Sequence, residues 1–392
     1  MLDTVKNLEK CINYCNKIIY ENVPPPKNKY YNPTHHNEWN GIDWTGDEIS
    51  YFETRHNTSD MFPVNMNSYS EIIKFQLSDV FNVSKKMIDN AWNIASKKTS
   101  ARITIKNGVI HVKSSGPDIG RRSKVLNIIN SVHKKLKLPD TDFVILLSDL
   151  PPEQEWINTD LAKKSNRAPI FMPTRRSTQS NILLIPDYTF QDFWDHKQNK
   201  NYKNIISNPF TKRIPKIYFA GGINKYRAAA WCLGIKTKNG SLMTGLDTEA
   251  IKFSTSNKNY CKLPVWKKPQ THLDMYKYKF VLSPGGGTWP SWSTRFKFLF
   301  SGRSTPIVSK SDWYEFFYPL LRPYKDFVPA ENTISSVSRY IYPTGECLRK
   351  FPNASESIAN NAFMFQQKYL SKKIVFQYVH DIISEYTMRI NN

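Results

Sequence analysis

The sequence has no Cys-x-x-Cys pair, no apolar run approaching a membrane span, no Gly-x-x-x-x-Gly-Lys-Ser/Thr loop and no Gly-x-Gly-x-x-Gly turn. The missing cysteine pairs argue against a zinc knuckle or a disulfide framework. Cys11, Cys15, Cys232, Cys261 and Cys347 are odd in number and widely spread, so the expectation is free thiols in a reducing compartment. Without some 20 consecutive apolar residues there is no expected transmembrane helix. The start, "MLDTVKNLEKCINYCNKIIYENVPPP", reads as an amphipathic helix stopped by prolines, with no apolar core of a secretory leader. The expected location is the cytoplasm, or the host cytoplasm for a viral chain, with peripheral membrane contact left open. Asn57-Thr58-Ser59 and Asn353-Ala354-Ser355 then match glycosylation sequons by chance. The histidines lack a ligand pattern, since His35-His36 are adjacent and the others stand alone. There is no internal repeat or low-complexity tract.

Acidic residues are also scarce: 33 Asp and Glu face 55 Lys and Arg, a formal charge of +22. Such an excess calls for an anionic partner, which can be nucleic acid, a membrane surface or a phosphorylated small molecule. The basic residues are scattered through the chain with no tail, Arg-rich arm or RNA-binding aromatic signature, which sets nucleic acid aside.

With 392 residues and 40% hydrophobic content, the chain is globular and long enough for two domains. Residues 1–100 read as an N-terminal extension, with an irregular arm from Val23 to Phe62 pinned by Trp39 and Trp44. A helical segment and a hairpin, "ARITIKNGVIHVKS", turning at Asn107-Gly108, follow the arm. Buried strands alternating with helices then predict an α/β protein with a mostly parallel sheet. A first domain spans 101–208 and a second 209–353, with the break near Ser207 to Pro215. The amphipathic segment 354–392 is long enough to cross back to the first domain.

"YKYKFVLSPGGGTWPSWSTRFKFLFSG" reads as an apolar strand, a glycine turn, and a helix whose first turn holds Ser293, Thr294 and Arg295, closed by Gly302. A helix start offers N–H groups and a positive dipole end, and hydroxyls beside a guanidinium suit a diphosphate; a purely structural turn explains the glycines as well. A second such junction, "KIYFAGGINKYRAAA", places Arg227 one helical turn after Gly221 and Gly222. Asp149 ends the apolar strand "DFVILLSD", where it can serve as a general base or cap the next turn. Asp140-Thr141-Asp142 has the form of a metal-binding DxD, but it lies at the entrance of that strand and reads as a turn. Glu315 forms a capping box with Asp312 in the expected helix "DWYEFFYPLL", or binds a ribose.

These segments resemble the family-90 glycosyltransferases, among them protein O-glucosyltransferases and capsule-associated xylosyltransferases. The strongest resemblance runs from Tyr276 to Pro329: strand, small-residue loop, Ser-x-Arg-x-Lys helix, strand and "EFFYP" block. Weaker ones are "GRRSK", "LPDTDFVILLSDLP", "PIFMP", "IPDYTF" and "YFAGG". Together they cover Ala101 to the C-terminus; the first hundred residues match little. The resemblance implies a GT-B-like architecture, two Rossmann-like domains facing a central cleft. It also implies inverting transfer of a sugar, xylose or glucose, from a UDP-sugar to a hydroxyl of a glycan or glycoprotein, with no metal and no cofactor beyond the donor. Carried onto this sequence, the catalytic base falls on Asp149. The nucleotide-sugar site falls on Gly222, Arg227, Gly286, Gly287, Ser291, Ser293, Thr294 and Arg295. A cleft-lining arginine falls on Arg121 or Arg122, and spacing to Leu138-Pro139-Asp140 favours Arg122. Where the family usually has Arg-Gly-Ser this chain has Ala220-Gly221-Gly222, and Ser148 replaces a common arginine before the aspartate. The chain ends "MRINN" without a retention tail, so a viral or bacterial-type member is expected. The alternative is a catalytically inactive, basic sugar- or nucleic-acid-binding protein that keeps the fold; retention of Asp149 with both arginines favours the enzyme.

Overall fold

A computed structural model describes residues 4–13, 65–147, 166–176, 179, 181–219, 246–248, 272–283, 295–309, 313–330, 344–345 and 347–391. The expected arm 23–62, with Trp39 and Trp44, and the expected helix after Gly222 lie outside them. The chain divides into two compact units. One, the hairpin unit, comprises Phe62–Lys197, Asp312–Leu320 and Gln367–Asn392; the other, the parallel unit, comprises Met1–Met61, Gln198–Ser311 and Leu321–Gln366. Elements are numbered in chain order through both.

The hairpin unit contains α2 (Tyr69–Gln76), α3 (Lys85–Ala95), β1 (Ser100–Lys106), β2 (Val109–Ser115), α4 (Ile119–Leu136) and β3 (Thr141–Leu146). β4 (Ile170–Met172), β5 (Arg175–Arg176), β6 (Ile182–Leu184), α5 (Phe190–His196), β11 (Trp313–Tyr314) and α10 (Lys372–Thr387) complete it. Its sheet runs β2-β1-β3-β4-β6; the β1–β2 and β1–β3 pairs are antiparallel, β3–β4 and β4–β6 parallel. The hairpin turns at Asn107 (φ 52°) and Gly108 (φ 71°), the two left-handed residues that match a turn to strand twist. Asp140 locks the turn by accepting from Asn107 N at 2.7 Å and Gly108 N at 3.2 Å. The buried β6 edge of the sheet is satisfied by side chains. Gln76 Oε1 accepts from Leu184 N (2.5 Å), and Tyr378 Oη donates to Leu184 O (2.8 Å) while accepting from Gln76 Nε2 (3.0 Å). α2 and α3 pack within this unit, with Ile72, Ile88 and Ala91 buried.

The parallel unit contains α1 (residues 4–13), α6 (Lys200–Ile206), β7 (Ile214–Phe219), β8 (Leu246–Thr248), α7 (His272–Met275) and β9 (Tyr278–Ser283). α8 (Phe296–Leu299), β10 (Thr305–Ser309) and β12 (Val328–Ala330) follow, then α9 (Pro352–Tyr369), whose last residues pass into the hairpin unit. Its sheet, β12-β10-β9-β7-β8, is parallel throughout. The apolar centres of "YKFVLS" and "TPIVS", buried almost throughout, suit strands covered on both faces. The expected break near 207–215 and the change of unit at Gln198 differ by α6, which Tyr202 ties to this unit by donating to Ser301 O at 2.9 Å.

Two expectations are corrected. Cys11 and Cys347 form a disulfide with Cα atoms 6.0 Å apart, against the reading of free thiols. The reason is long-range packing: Leu8 and Ile12 of α1 are fully buried in one cluster with Ile217, Phe280, Ile307, Leu348 and Ile358. Nor is "DWYEFFYPLL" an α-helix; its described part, from Trp313, is β11, paired antiparallel with β5, then a 3-10 turn at Tyr318–Leu320. Glu315 is fully buried and accepts from Tyr318 Oη at 3.3 Å, while Asp312, its partner in the expected capping box, lies outside the described residues.

Candidate functional site

In parallel strands the carboxyl ends share one edge, where ligands of open α/β sheets bind. In the hairpin unit that edge includes the end of β3, whose Phe143, Ile145 and Leu146 are fully buried because both faces of the strand are covered. Asp149 lies two residues beyond Leu147, outside the described residues. α4 precedes β3, so its N-terminus returns to this edge. Asp118 caps it by accepting from Arg121 N at 2.9 Å. Arg121 pairs with Asp118 (3.0 Å), lies 4.6 Å over the Tyr188 ring and reaches Leu147 O at 3.5 Å. Arg122 instead donates Nη1 to Ser115 O (2.9 Å) and Gly116 O (3.1 Å), at the end of β2. β2 and β3 run in the same direction, and Ser115 and Leu146 are both level with Ser100, so Arg121 and Arg122 lie at the same edge of the sheet.

The chain leaving β4 adds Thr174, Arg175 and Arg176 to the same edge, a group that the sequence analysis did not single out. Arg175 turns inward: it is 2% exposed, donates to Ile182 O at 2.8 Å, and burial lowers its pKa. Arg176 turns the other way and stacks 5.0 Å over the Trp313 indole. The signal for it was the two-residue alternation of "TRR" directly after an apolar strand.

The DxD carboxylates do structural work. Asp140 holds the hairpin turn, and those two backbone N–H donors lower its pKa. Asp142 receives Arg102 Nε at 2.9 Å and Nη2 at 2.6 Å, while Arg102 also reaches Asp89 at 2.6 Å. Among the described residues no group of three His, Cys, Asp or Glu is placed to hold a metal ion.

In the parallel unit β7 and β9 are neighbours, so the chain leaves both at one edge, towards the two glycine junctions. Gly222, Arg227, Gly286, Gly287, Ser291, Ser293 and Thr294 lie outside the described residues. Arg295 is described: it occupies the position before the four-residue α8 without a side-chain capping bond, and its guanidinium lies 4.9 Å over Phe219, the last residue of β7. It therefore follows β9 in sequence and covers the end of β7 in space. Lys297, two residues on, is fully buried. Gly302 ends this turn because a Cβ there would strike the Tyr276 ring.

The sequence profile of Glycosyl transferase family 90 matches residues 67–391, beginning well before the Ala101 of the sequence-based resemblance. Protein O-glucosyltransferase 2 of Danio rerio is 22% identical over 289 residues, 72% of this chain and 54% of that protein. Protein O-glucosyltransferase 1 of Homo sapiens is 25% identical over 260 residues, 64% of this chain and 63% of that protein. Protein O-glucosyltransferase 3 of Rattus norvegicus is 22% identical over 294 residues, 73% of this chain and 54% of that protein. The chain thus spans about half to just under two thirds of the relatives' own lengths. Among the described residues no helix is long and apolar enough to cross a membrane.

Proposed function

The chain belongs to glycosyl transferase family 90, and on that premise we propose that it transfers a sugar from a UDP-sugar to a hydroxyl of a protein or glycan, with inversion and without a metal. Asp149 takes the proton of the acceptor hydroxyl. The acceptor oxygen bonds to the anomeric carbon as the bond to the diphosphate oxygen breaks, and UDP leaves with that electron pair. Arg295 and Arg227 stabilise the charge that gathers on the diphosphate, the role a metal ion would otherwise fill. The two α/β units are read as the Rossmann-like halves of a GT-B enzyme. The names of the relatives favour glucose as the sugar and a protein hydroxyl as acceptor. In place of the cytoplasmic expectation, the Cys11–Cys347 bond favours a compartment where disulfides persist.

The observation that carries the reading is that Asp149 follows the buried strand β3 at its carboxyl end, within the matched span. The test is Asp149→Asn, assayed with a panel of UDP-sugars. A general base contributes about 10²- to 10⁴-fold, so kcat should fall by that factor while UDP-sugar affinity stays near wild type. Near-wild-type turnover by the folded variant removes Asp149 from the reaction. Transfer abolished by EDTA and restored by manganese removes the metal-free mechanism.

A further inference from the structure

The group at the end of β4 has no part in the scheme above. Ile145 of β3 pairs with Phe171 of β4, so Leu147 is level with Pro173, and Thr174 and Arg176 leave the sheet on the edge where the chain runs on to Asp149. Residues two apart in an extended run share a side. Thr174 and Arg176 do so, with Arg175 between them turned into the core. Two features hold Arg176 in place: its backbone pairs with Trp313, and its guanidinium lies over the Trp313 indole, 5.0 Å from the ring centre. Gln179 Oε1 accepts from Arg176 N at 2.8 Å and fixes the strand's exit. In this group Thr174 Oγ1 and Arg176 Nε are buried and make no hydrogen bond among the described residues, and Thr174 is 0% exposed. Buried polar groups nearly always find a partner, so a pair left without one on one side of one strand marks a place that is completed by something else.

We propose that Thr174 and Arg176 form a subsite for a carboxylate on the substrate, that of a uronic-acid sugar. An arginine held against an aromatic ring keeps its Nε and Nη donors for a partner, and that fork matches the two oxygens of a planar carboxylate. One guanidinium and one hydroxyl suit a single negative charge; Arg175, the nearest second cation in sequence, is spent in the core. The carboxylate can sit on the donor sugar or on the sugar that accepts. The proposal rests on the glycosyltransferase reading for its substrate but not for its chemistry.

Four probes separate these cases by calorimetric titration of the full chain: UDP-glucuronate, UDP-glucose, a glucuronate-bearing oligosaccharide and its neutral counterpart. The charged member of one pair is expected to bind about tenfold more tightly, the ratio a charge-assisted contact supplies, and the pair that shows it identifies the source. Arg176→Gln should erase the preference, and Arg176→Lys, which keeps the charge but lacks the fork, should restore only part of it. Should Arg176→Gln fail to fold, Arg176→Lys and Thr174→Val carry the same comparison. Equal affinities for charged and neutral probes in the wild type overturn the proposal, as does a preference that survives Arg176→Gln. UDP alone is titrated in parallel: failure to bind UDP overturns the donor assignment and leaves the carboxylate result standing.

Discussion

Arg295 and His196 show how differently single side chains can be held. Arg295 is placed by its position at the start of α8 and by the Phe219 ring beneath it, both consequences of parallel β7 and β9. If it meets a diphosphate there, Arg295→Ala should weaken UDP binding by on the order of 2 kcal/mol, the worth of a charge-assisted contact. A calorimetric titration of the folded variant decides this, and unchanged affinity removes Arg295 from the site. His196 ends α5, and burial first, then Lys197, depresses its pKa to about 4. The unfolded chain binds this proton near pH 6.5 and the folded chain does not, so the stabilising contribution is complete above that pH and is lost as pH falls towards 4. His196→Gln should therefore raise stability relative to wild type at pH 5, by about 1 kcal/mol after allowance for partial exposure, and much less at pH 7.5. Asp326 has the opposite sign. Burial raises it to about 6, so it favours the folded state at low pH and that contribution is lost as pH rises through 6. Asp326→Asn, which keeps an acceptor for Arg322 N, should gain on wild type above pH 6. Urea titrations of the two variants at several pH values check both signs.

At the level of elements, two glycines set different demands. Gly108 has a left-handed φ but open space around it, whereas Gly302 has the buried Tyr276 ring against it. Gly108→Ala should thus cost about 1 kcal/mol, the left-handed penalty alone. Gly302→Ala forces a repacking that typically costs about 1–3 kcal/mol and displaces the Tyr276 hydroxyl from Phe298 O, now 2.9 Å away. Melting curves that rank Gly108→Ala as the worse variant overturn this account. The Asn107-Gly108 hairpin and the apolar strands β3, β9 and β10 were legible in the sequence because each is specified by residues next to one another. β11 was not legible, because its aromatic run is compatible with a helix and its strand state depends on pairing with β5, distant in the chain. The last segment reads as one amphipathic stretch, but it breaks at Leu370 and Ser371 into α9 and α10. The candidate site divides in the same way. Arg295 follows from a strand-glycine-helix pattern, while the placing of Arg121 and Arg122 depends on which carbonyl each reaches, and Arg176 depends on an indole brought in by β11.

Over the whole molecule, the disulfide has the longest reach. Cys11 and Cys347 are 336 residues apart in sequence, and they join α1 to a cluster that includes the sheet residues Ile217, Phe280 and Ile307. Closing so long a loop restricts the unfolded chain more than a short one does, and native disulfides typically contribute about 2–4 kcal/mol. Apolar packing of Leu8 and Ile12, each 0% exposed, acts on the same contact independently of the bond. Reduction should consequently lower the melting temperature of the parallel unit by roughly 5–10 °C without unfolding it at 25 °C. Cys11→Ser should reproduce that shift and remove this bond's contribution to the response to dithiothreitol. Leu8→Ala in the oxidised protein should cost a further about 2–5 kcal/mol, because the cavity it leaves stays lined by the same buried side chains. Peptide mapping without reductant identifies the linked peptides, and calorimetry with and without dithiothreitol measures the shift. If Cys11 and Cys347 are both alkylated in the unreduced protein, or if reduction leaves the transition unmoved, α1 is held by packing alone and the preference for an oxidising compartment falls with the bond.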